Sequence, residues 1–224
     1  MDTHLHAARK LSRADTLLVF LPGAFLKPEE FEREGFVEAV RQRNIDADVL
    51  IVDANVSYYY DQTFIERLHA NVVQQRDRGY KSIWLVGISI GGFGALIHEM
   101  ASPGSVDGIV TLAPYLGRRP LGAEIARAGG LRAWQQPEGP PTDAEADRHL
   151  WPWLKHYAHP TPSRRMPPLY LGFGMSDRFA CSHKVLAEVL PEGHVFTTEG
   201  GHDWPEWMRL WRTLLPRLPL PVCS

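Results

Sequence analysis

Short apolar runs rich in valine, isoleucine and leucine recur along the 224 residues, and segments with helical periodicity lie between most of them. The runs cover residues 16–21, 48–52, 82–86, 106–112, 169–173 and 194–197. Strands that alternate with helices form βαβ units, whose right-handed crossovers build a parallel sheet with helices on both faces. The sequence therefore predicts an α/β fold, with a mainly parallel, doubly wound sheet of about six strands flanked by helices.

Two of the helical segments have recognisable ends. One runs from Asp61, a candidate N-cap, to the neighbourhood of Gly79. The other begins after Asp203, a second candidate N-cap, and carries an apolar face that predicts a core contact. That face consists of Trp204, Trp207, Met208, Trp211 and Leu215.

The interval from residue 117 to 166 interrupts the alternation of strands and helices. It is rich in proline and contains the pair Gly129-Gly130 and a polar stretch, QQPEGPPTDAEADRH. A structureless loop of that length would be unusual, so we expect a small folded insertion with helical patches near 121–128 and 143–157. No linker separates two units, and residues 1–224 are predicted to form a single domain.

Charge and composition exclude several function classes. The net charge of −2 gives no long-range attraction to nucleic acid, and no apolar run approaches the length of about 20 residues that a membrane span needs. The two cysteines form no metal-binding pattern and favour a reducing compartment, and the first residues do not resemble a signal peptide, so a cytoplasmic location is expected. His4 and His6 lie in a segment expected to be frayed, and no metal is predicted there.

Ser89 carries the strongest functional signal. It is the centre of Gly87-Ile88-Ser89-Ile90-Gly91, a G-x-S-x-G pattern that follows a predicted strand and opens a predicted helix. In such a turn the serine backbone is strained, and a glycine on each side avoids a clash between strand and helix. The pattern predicts an exposed serine nucleophile at the carboxyl edge of the sheet.

A serine needs a base, and the base needs an orienting carboxylate. Of the ten histidines, His202 follows a predicted strand, lies beside Gly200-Gly201 and precedes a helix start. For the carboxylate, Asp177 follows the preceding strand and is favoured, while Asp203 and Glu199 are the alternatives. In a parallel sheet the loops of Asp177 and His202 would be neighbours.

With these residues in the order Ser89, Asp177, His202, nearly the whole chain resembles the α/β-hydrolase superfamily. The resemblance implies an oxyanion hole made by the backbone N–H of Ile90 and an N–H from the loop after the first strand. Where the family has an H-G-G-type element, this chain has Leu-Pro-Gly-Ala, which leaves Ala24, and next Phe25, as candidates for the second donor.

The resemblance also implies that residues 117–166 form a cap or lid over the site. Aromatic side chains from this insertion and from the segment NVSYYYDQTF are candidates for substrate binding, and they favour a hydrophobic or aryl substrate. These candidates are Tyr58, Tyr59, Trp151 and Trp153.

The leading function hypothesis is a serine hydrolase of small-molecule carboxylic esters, working through an acyl-enzyme on Ser89 without metal or organic cofactor. The same residues suit an alternative, a thioesterase or acyltransferase acting on an acyl-CoA or on a chain bound to a carrier protein. A third hypothesis is a non-catalytic binding protein with this fold.

Overall fold

The computed structural model of the chain describes residues 1–8, 13–54, 57–60, 63–136, 148–161 and 165–223. The strands in these residues are β1 (Thr3–His6), β2 (Thr16–Leu21), β3 (Ala47–Val52), β4 (Ser82–Ile88), β5 (Gly108–Leu112), β6 (Leu169–Gly174) and β7 (Val195–Thr198). The helices in the same residues are α1 (Pro28–Arg33), α2 (Phe36–Gln42), α3 (Ser57–Tyr60), α4 (Phe64–Asp77), α5 (Ile90–Ala101), α6 (Arg119–Arg127), α7 (Leu150–Leu154), α8 (Ala180–Ala187) and α9 (Trp204–Leu214). Short 3-10 turns follow α7 at Lys155–Tyr157 and α9 at Leu215–Arg217.

The strands form one sheet with the spatial order β1-β3-β2-β4-β5-β6-β7. All six predicted strands are present, and β2 to β7 pair in parallel. Thr16 is opposite both Ala47 and Ser82, so the adjacent strands β3, β2 and β4 start in register. Their carboxyl ends consequently meet at one edge of the sheet, which is where ligands bind in open α/β sheets.

The seventh strand, β1, was not predicted, and the interpretation of the first residues as a frayed segment is wrong. Residues Thr3–His6 pair antiparallel with β3, and Leu5 lies opposite Leu50. The burial pattern of β1 alternates between exposed and half-buried, as expected for an edge strand. Four residues with one large apolar side chain carry little periodicity, and their partner strand is about 45 residues away along the chain.

Side chains from the sheet alternate between two cores. Leu17 and Val19 point into the first core, which is covered by α4, α5, α6, α7 and α8. Leu18 and Phe20 point into the second core, which is covered by α1, α2 and α9. The sheet is therefore doubly wound, as the sequence predicts.

Helix α9 has the predicted cap and the predicted apolar face. The Asp203 carboxylate accepts a hydrogen bond from the Glu206 N–H at 3.3 Å. Trp211 is fully buried, its indole N–H donates to the Phe36 carbonyl at 3.1 Å, and its ring stacks on the Phe36 ring at 5.9 Å. The tryptophan face thus anchors the last helix of the chain to the second core.

The insertion at 117–166 contains structure of its own. The predicted helix at 121–128 corresponds to α6, and the described part of 143–157 contains α7 and the turn after it. Helix α6 packs against α8, and α7 packs against α5. Residues 137–147, and Asp61 as the predicted cap of α4, lie outside the described residues; the role of the insertion as a lid stays a prediction.

Candidate active site

Ser89 occupies the sharp turn between β4 and α5. Its backbone angles, φ 53° and ψ −116°, are rare for a residue with a side chain, and such a conformation costs about 1–3 kcal/mol. Backbone hydrogen bonds hold it in place. The Ser89 N–H donates to the Leu112 carbonyl at 3.0 Å, and the Ser89 carbonyl accepts from the N–H groups of Tyr115 at 2.9 Å and Phe93 at 3.2 Å. The position of the hydroxyl is therefore set by β5 and α5 together.

The glycines on either side of Ser89 leave no room for a side chain. A Cβ atom on Gly91 would lie 2.2 Å from the Leu21 carbonyl oxygen at the end of β2. A Cβ atom on Gly87 would lie 2.4 Å from the backbone of Gly91. Both distances are far below van der Waals contact, so the turn requires glycine at each position, as the sequence pattern predicts.

The structure brings Ser89, His202 and Asp177 into one hydrogen-bonded chain. The Nε2 atom of His202 lies 3.0 Å from Ser89 Oγ, and its Nδ1 atom lies 2.7 Å from Asp177 Oδ2. The Asp177 side chain is fully buried, whereas the His202 side chain is 12% exposed. The buried carboxylate faces the protein interior, and the serine–imidazole end of the chain faces the surface.

Parallel pairing of β6 with β7 explains why the two loops meet. Gly174 is opposite Thr198, and the loops continue this pairing: the Met175 N–H donates to the Thr198 carbonyl at 2.7 Å. The Ser176 N–H donates to the Gly200 carbonyl at 3.0 Å. These bonds hold the loop of Asp177 against the loop of His202.

The Asp177 carboxylate is kept ionised by its partners. Burial on its own would raise the pKa, but the hydrogen bond with His202 and the Phe179 N–H, which donates to Oδ1 at 2.7 Å, outweigh burial and lower the pKa below its ordinary 3.8. Each carboxylate oxygen therefore has a donor, and a charged acceptor faces His202 Nδ1 at neutral pH.

The two alternative carboxylates are placed elsewhere. Asp203 caps α9, as described above, and Glu199 is exposed. Asp177 is the carboxylate that contacts the His202 ring in this structure.

His183 is a second buried histidine behind Asp177. Its ring is fully buried, Nε2–H donates to the Pro114 carbonyl at 2.8 Å, and Nδ1 has no hydrogen-bond partner among the described residues. Burial lowers its pKa to about 4 from the ordinary 6.5, against the smaller opposing effects of the Pro114 hydrogen bond and the Asp177 charge. The imidazole is therefore neutral in the folded protein at neutral pH.

This burial predicts acid sensitivity in a defined pH window. Because the pKa of His183 in the folded state is below the value of 6.5 in the unfolded state, its contribution to stability is complete above pH 6.5 and is lost as the pH falls towards 4. The loss should reach about 3 kcal/mol. His183→Gln keeps an N–H donor but cannot titrate. Between pH 7 and pH 4 the free energy of unfolding of this variant in urea should therefore fall less than that of the parent protein, by about the same amount. The Asp177 contribution is lost only below pH 3.8, outside this window.

Exposed His159 provides the matched control for this experiment. His159→Gln should leave the pH dependence of the parent protein unchanged. Equal pH dependence in the parent protein and in His183→Gln would contradict the assignment of a neutral, buried His183.

The candidate oxyanion donors lie on two segments beside Ser89. Ile90 is the first residue of α5, so its N–H has no partner within the helix. A Cβ atom on Gly23 would lie 3.4 Å from Ser89 Cβ, which shows that the loop after β2 passes next to the serine. Beyond Gly23, Ala24 is exposed, and Phe25 is 85% exposed with φ 64°. The assignment of Ile90, Ala24 and Phe25 as donors stays a prediction.

The four predicted substrate-binding residues are in different environments. The Tyr59 hydroxyl donates to the Ile90 carbonyl at 3.1 Å, so this side chain lies beside the turn. Half-buried Tyr58 packs under the Arg67 guanidinium at 4.6 Å. Trp151 and Trp153 are 0% and 8% exposed.

The two tryptophans belong to the first core. Trp151 is fixed there by a hydrogen bond from its indole N–H to the Leu116 carbonyl at 3.0 Å, and Trp153 packs edge-on to the Tyr157 ring. Their described contacts do not bring them to Ser89.

Sequence reasoning missed the aromatic rings that flank His202. Phe179 meets the imidazole edge-on at 5.6 Å, and Trp207 does so from α9 at 5.2 Å. Together with the hydrogen bond to Asp177, these contacts fix the plane of the His202 ring. The sequence did hold one indication of this contact, since Phe179 comes only two residues after Asp177.

In the described ranges, no three histidine, cysteine, aspartate or glutamate side chains converge as a metal site would require. None of the helices described is both long and apolar enough to cross a bilayer.

Comparison with known proteins gives a clear answer at the level of the fold. No protein-family model matches the sequence, and no curated protein sequence matches it. Solved structures do match. An S-formylglutathione hydrolase of Staphylococcus aureus has a TM-score of 0.60 and 14% identity, over 93% of this chain and 83% of that chain.

Two further structures match over a similar extent. A monoacylglycerol lipase of Paleococcus ferrophilus has a TM-score of 0.59 and 14% identity, over 97% of this chain and 100% of that one. An α/β hydrolase enzyme from a sediment metagenome of the lagoon of Mar Chica, Morocco, has a TM-score of 0.58 and 15% identity, over 96% and 92%. These likenesses extend over nearly the whole length of both chains and concern the fold.

Proposed function

The chain has the α/β-hydrolase fold, and on this fold we propose that it is a serine hydrolase that cleaves a carboxylic ester through an acyl-enzyme on Ser89. One observation carries the proposal: an unbroken hydrogen-bonded chain runs from Ser89 Oγ through His202 to the buried Asp177 carboxylate. These are the partners that a weak serine nucleophile needs, namely a base within hydrogen-bond reach and a group that orients the base.

In the proposed first step Asp177 defines the tautomer of His202. Its ionised carboxylate accepts a hydrogen bond from Nδ1–H, so that the lone pair of Nε2 faces Ser89 Oγ at 3.0 Å. As Oγ attacks the ester carbonyl carbon, Nε2 takes the hydroxyl proton, and the carbonyl π electrons move to the oxygen. The resulting oxyanion lies against backbone N–H groups, for which Ile90 and Ala24 or Phe25 are the candidates.

Collapse of this intermediate breaks the bond to the leaving oxygen, and the imidazolium returns its proton to the departing alcohol. A water molecule then repeats the sequence: His202 takes its proton, the hydroxyl adds to the acyl-enzyme, and Ser89 leaves as the protonated alcohol with release of the acid. The residues of this chain supply every proton transfer in both steps.

Covalent labelling tests this proposal directly. A fluorophosphonate probe, which phosphonylates activated serines, should modify the folded protein on the peptide that contains Ser89, as read by mass spectrometry. Hydrolysis of p-nitrophenyl acetate and butyrate should fall in proportion to the labelled fraction, because both reactions need the same hydroxyl. Protein unfolded in urea provides the control and should not be labelled.

The outcomes separate the competing hypotheses. Absence of both labelling and hydrolysis in folded protein would favour a binding protein with this fold. Labelling at another serine would show that Ser89 is not the nucleophile. Comparison of ethyl acetate with S-ethyl thioacetate and acetyl-CoA decides between ester and thioester. A preference for the thioesters, measured as kcat/KM, would overturn the ester assignment while leaving the nucleophile in place.

A further inference from the structure

Three aromatic side chains form a continuous row that ends at the His202 imidazole. We call Phe93, Tyr115 and Phe179 the aromatic row. The Phe93 and Tyr115 rings lie 5.7 Å apart at 74°, the Tyr115 and Phe179 rings lie 5.7 Å apart at 84°, and Phe179 meets His202 at 5.6 Å and 71°. Each contact is edge-to-face, the geometry that the aromatic quadrupole favours.

The backbone of every residue in the aromatic row is bonded to a residue of the proposed catalytic chain. The N–H groups of Phe93 and Tyr115 both donate to the Ser89 carbonyl, at 3.2 and 2.9 Å. The Phe179 N–H donates to the Asp177 carboxylate at 2.7 Å. Three separate segments of the chain therefore hold their rings at fixed positions relative to the nucleophile and the acid.

Burial distinguishes the aromatic row from the aromatic residues of the core. The rings of Phe20 and Phe64 are essentially inaccessible, whereas all three rings of the row are half-buried. Within the described residues, Tyr115 and Phe179 pack into neither core, and Phe93 lies only at the margin of the first core. The row thus presents aromatic surface to solvent beside Ser89, whereas Phe20 and Phe64 are fully buried in the cores.

Neighbouring side chains also support the row. The Arg178 guanidinium lies over the Phe179 ring at 5.0 Å, and each ring braces its neighbour. A preformed aromatic surface binds a planar ring at small entropic cost, and an aromatic contact adds affinity beyond that of the apolar area it buries. A flexible alkyl chain gains the area term but loses more freedom on the same surface.

We propose that the aromatic row binds an aromatic ring of the ester substrate and so makes the enzyme selective for aryl esters; this inference rests on the proposed function. The ring can belong to the acyl group or to the alcohol, since both lie within reach of a surface that borders Ser89 and His202. The chemistry recognised is the same in either case.

Kinetics with four small esters test the inference. Methyl benzoate carries the ring in the acyl group, phenyl acetate carries it in the alcohol, ethyl butyrate is apolar without a ring, and ethyl acetate is the minimal ester. For each ester kcat/KM of Phe93→Leu is divided by that of the parent, which cancels the intrinsic reactivity of the ester. For at least one of the two ring esters we expect kcat/KM to fall about tenfold, mainly through KM. For ethyl butyrate and ethyl acetate, which have no ring, we expect kcat/KM to change less than about twofold. The ring ester that is affected identifies the half of the substrate that the row binds.

Two further variants keep the test decisive. Phe196→Leu makes the same substitution at a half-buried ring of β7 that packs against the second core. For this variant the ratio of its kcat/KM to that of the parent should be the same for all four esters. Phe179→Leu should reproduce the selectivity of Phe93→Leu on top of a general loss, because its ring also contacts His202.

Equal losses on all four esters, a loss on ethyl butyrate as large as on the ring esters, or no loss on either ring ester would overturn the inference while leaving the proposed function intact. If the parent protein hydrolyses none of the four, the proposed function itself fails, and the inference fails with it.

Discussion

Replacement of Ser89 by alanine is expected to lower kcat/KM for phenyl acetate by at least about 10⁴-fold. The substitution removes the oxygen that would attack the ester, and the residual rate would come only from binding and from the oxyanion donors. The imidazole and carboxylate remain in place, because the His202–Asp177 hydrogen bond does not involve Ser89. Stopped assays with purified variant, at enzyme concentrations high enough to detect the residual rate, measure the loss.

The fold of the variant needs a separate control, since Ser89 has φ 53°. Ser89→Gly should be equally inactive but more stable than Ser89→Ala by about 1 kcal/mol, because glycine adopts positive φ without a steric penalty. Urea unfolding of both variants measures this difference. Turnover by Ser89→Ala equal to that of the parent would show that another group is the nucleophile.

The second large effect is expected for Asp177→Asn, which should lower kcat for the same ester by about 10³–10⁴-fold. The asparagine amide can donate to Nδ1 of His202, which would then carry its proton on Nε2 and point it at Ser89 Oγ. The base would face the nucleophile in the wrong tautomer, while the geometry of the site is conserved. Steady-state kinetics at pH 7–8 should show the loss in kcat with little change in KM.

Asp203 gives a matched control for this prediction. It is adjacent to His202 in sequence, but its carboxylate caps α9 through the Glu206 N–H. Asparagine caps helices about as well as aspartate, so Asp203→Asn should retain activity within about twofold and should retain stability. If Asp203→Asn lost as much activity as Asp177→Asn, the role of orienting carboxylate could not belong to Asp177.

The sequence was sufficient to predict the elements that bring Ser89, Asp177 and His202 together. All three follow apolar strands, and parallel pairing of those strands places their carboxyl ends at one edge of the sheet. The glycines at 87 and 91 are local signals of the close approach between β4, α5 and the end of β2. Local patterns and parallel topology together therefore carried the prediction of the site.

Features that depend on contacts between distant segments were not predictable in the same way. Tyr115 follows β5 and Phe179 follows β6, and no periodicity shows that their rings meet beside His202. Trp151, predicted to contact substrate, is instead buried by packing of α7 against α5. The sequence could not show this, because a tryptophan in a proline-rich insertion has the same sequence pattern in a lid as in a core. Side-chain packing of this kind is fixed by tertiary structure and not by sequence neighbours.

The short first strand has a consequence for solubility. All residues of β3 are buried, and five of its six positions, Ala47, Val49, Leu50, Ile51 and Val52, are apolar. Without β1 this strand would form the outer edge of the sheet and present unpaired backbone groups to any other extended chain. Residues Thr3–His6 occupy those groups and place polar or half-exposed side chains outside, with Glu32 of α1 within 3.0 Å of His6. Four residues thereby protect the sheet against edge-to-edge aggregation.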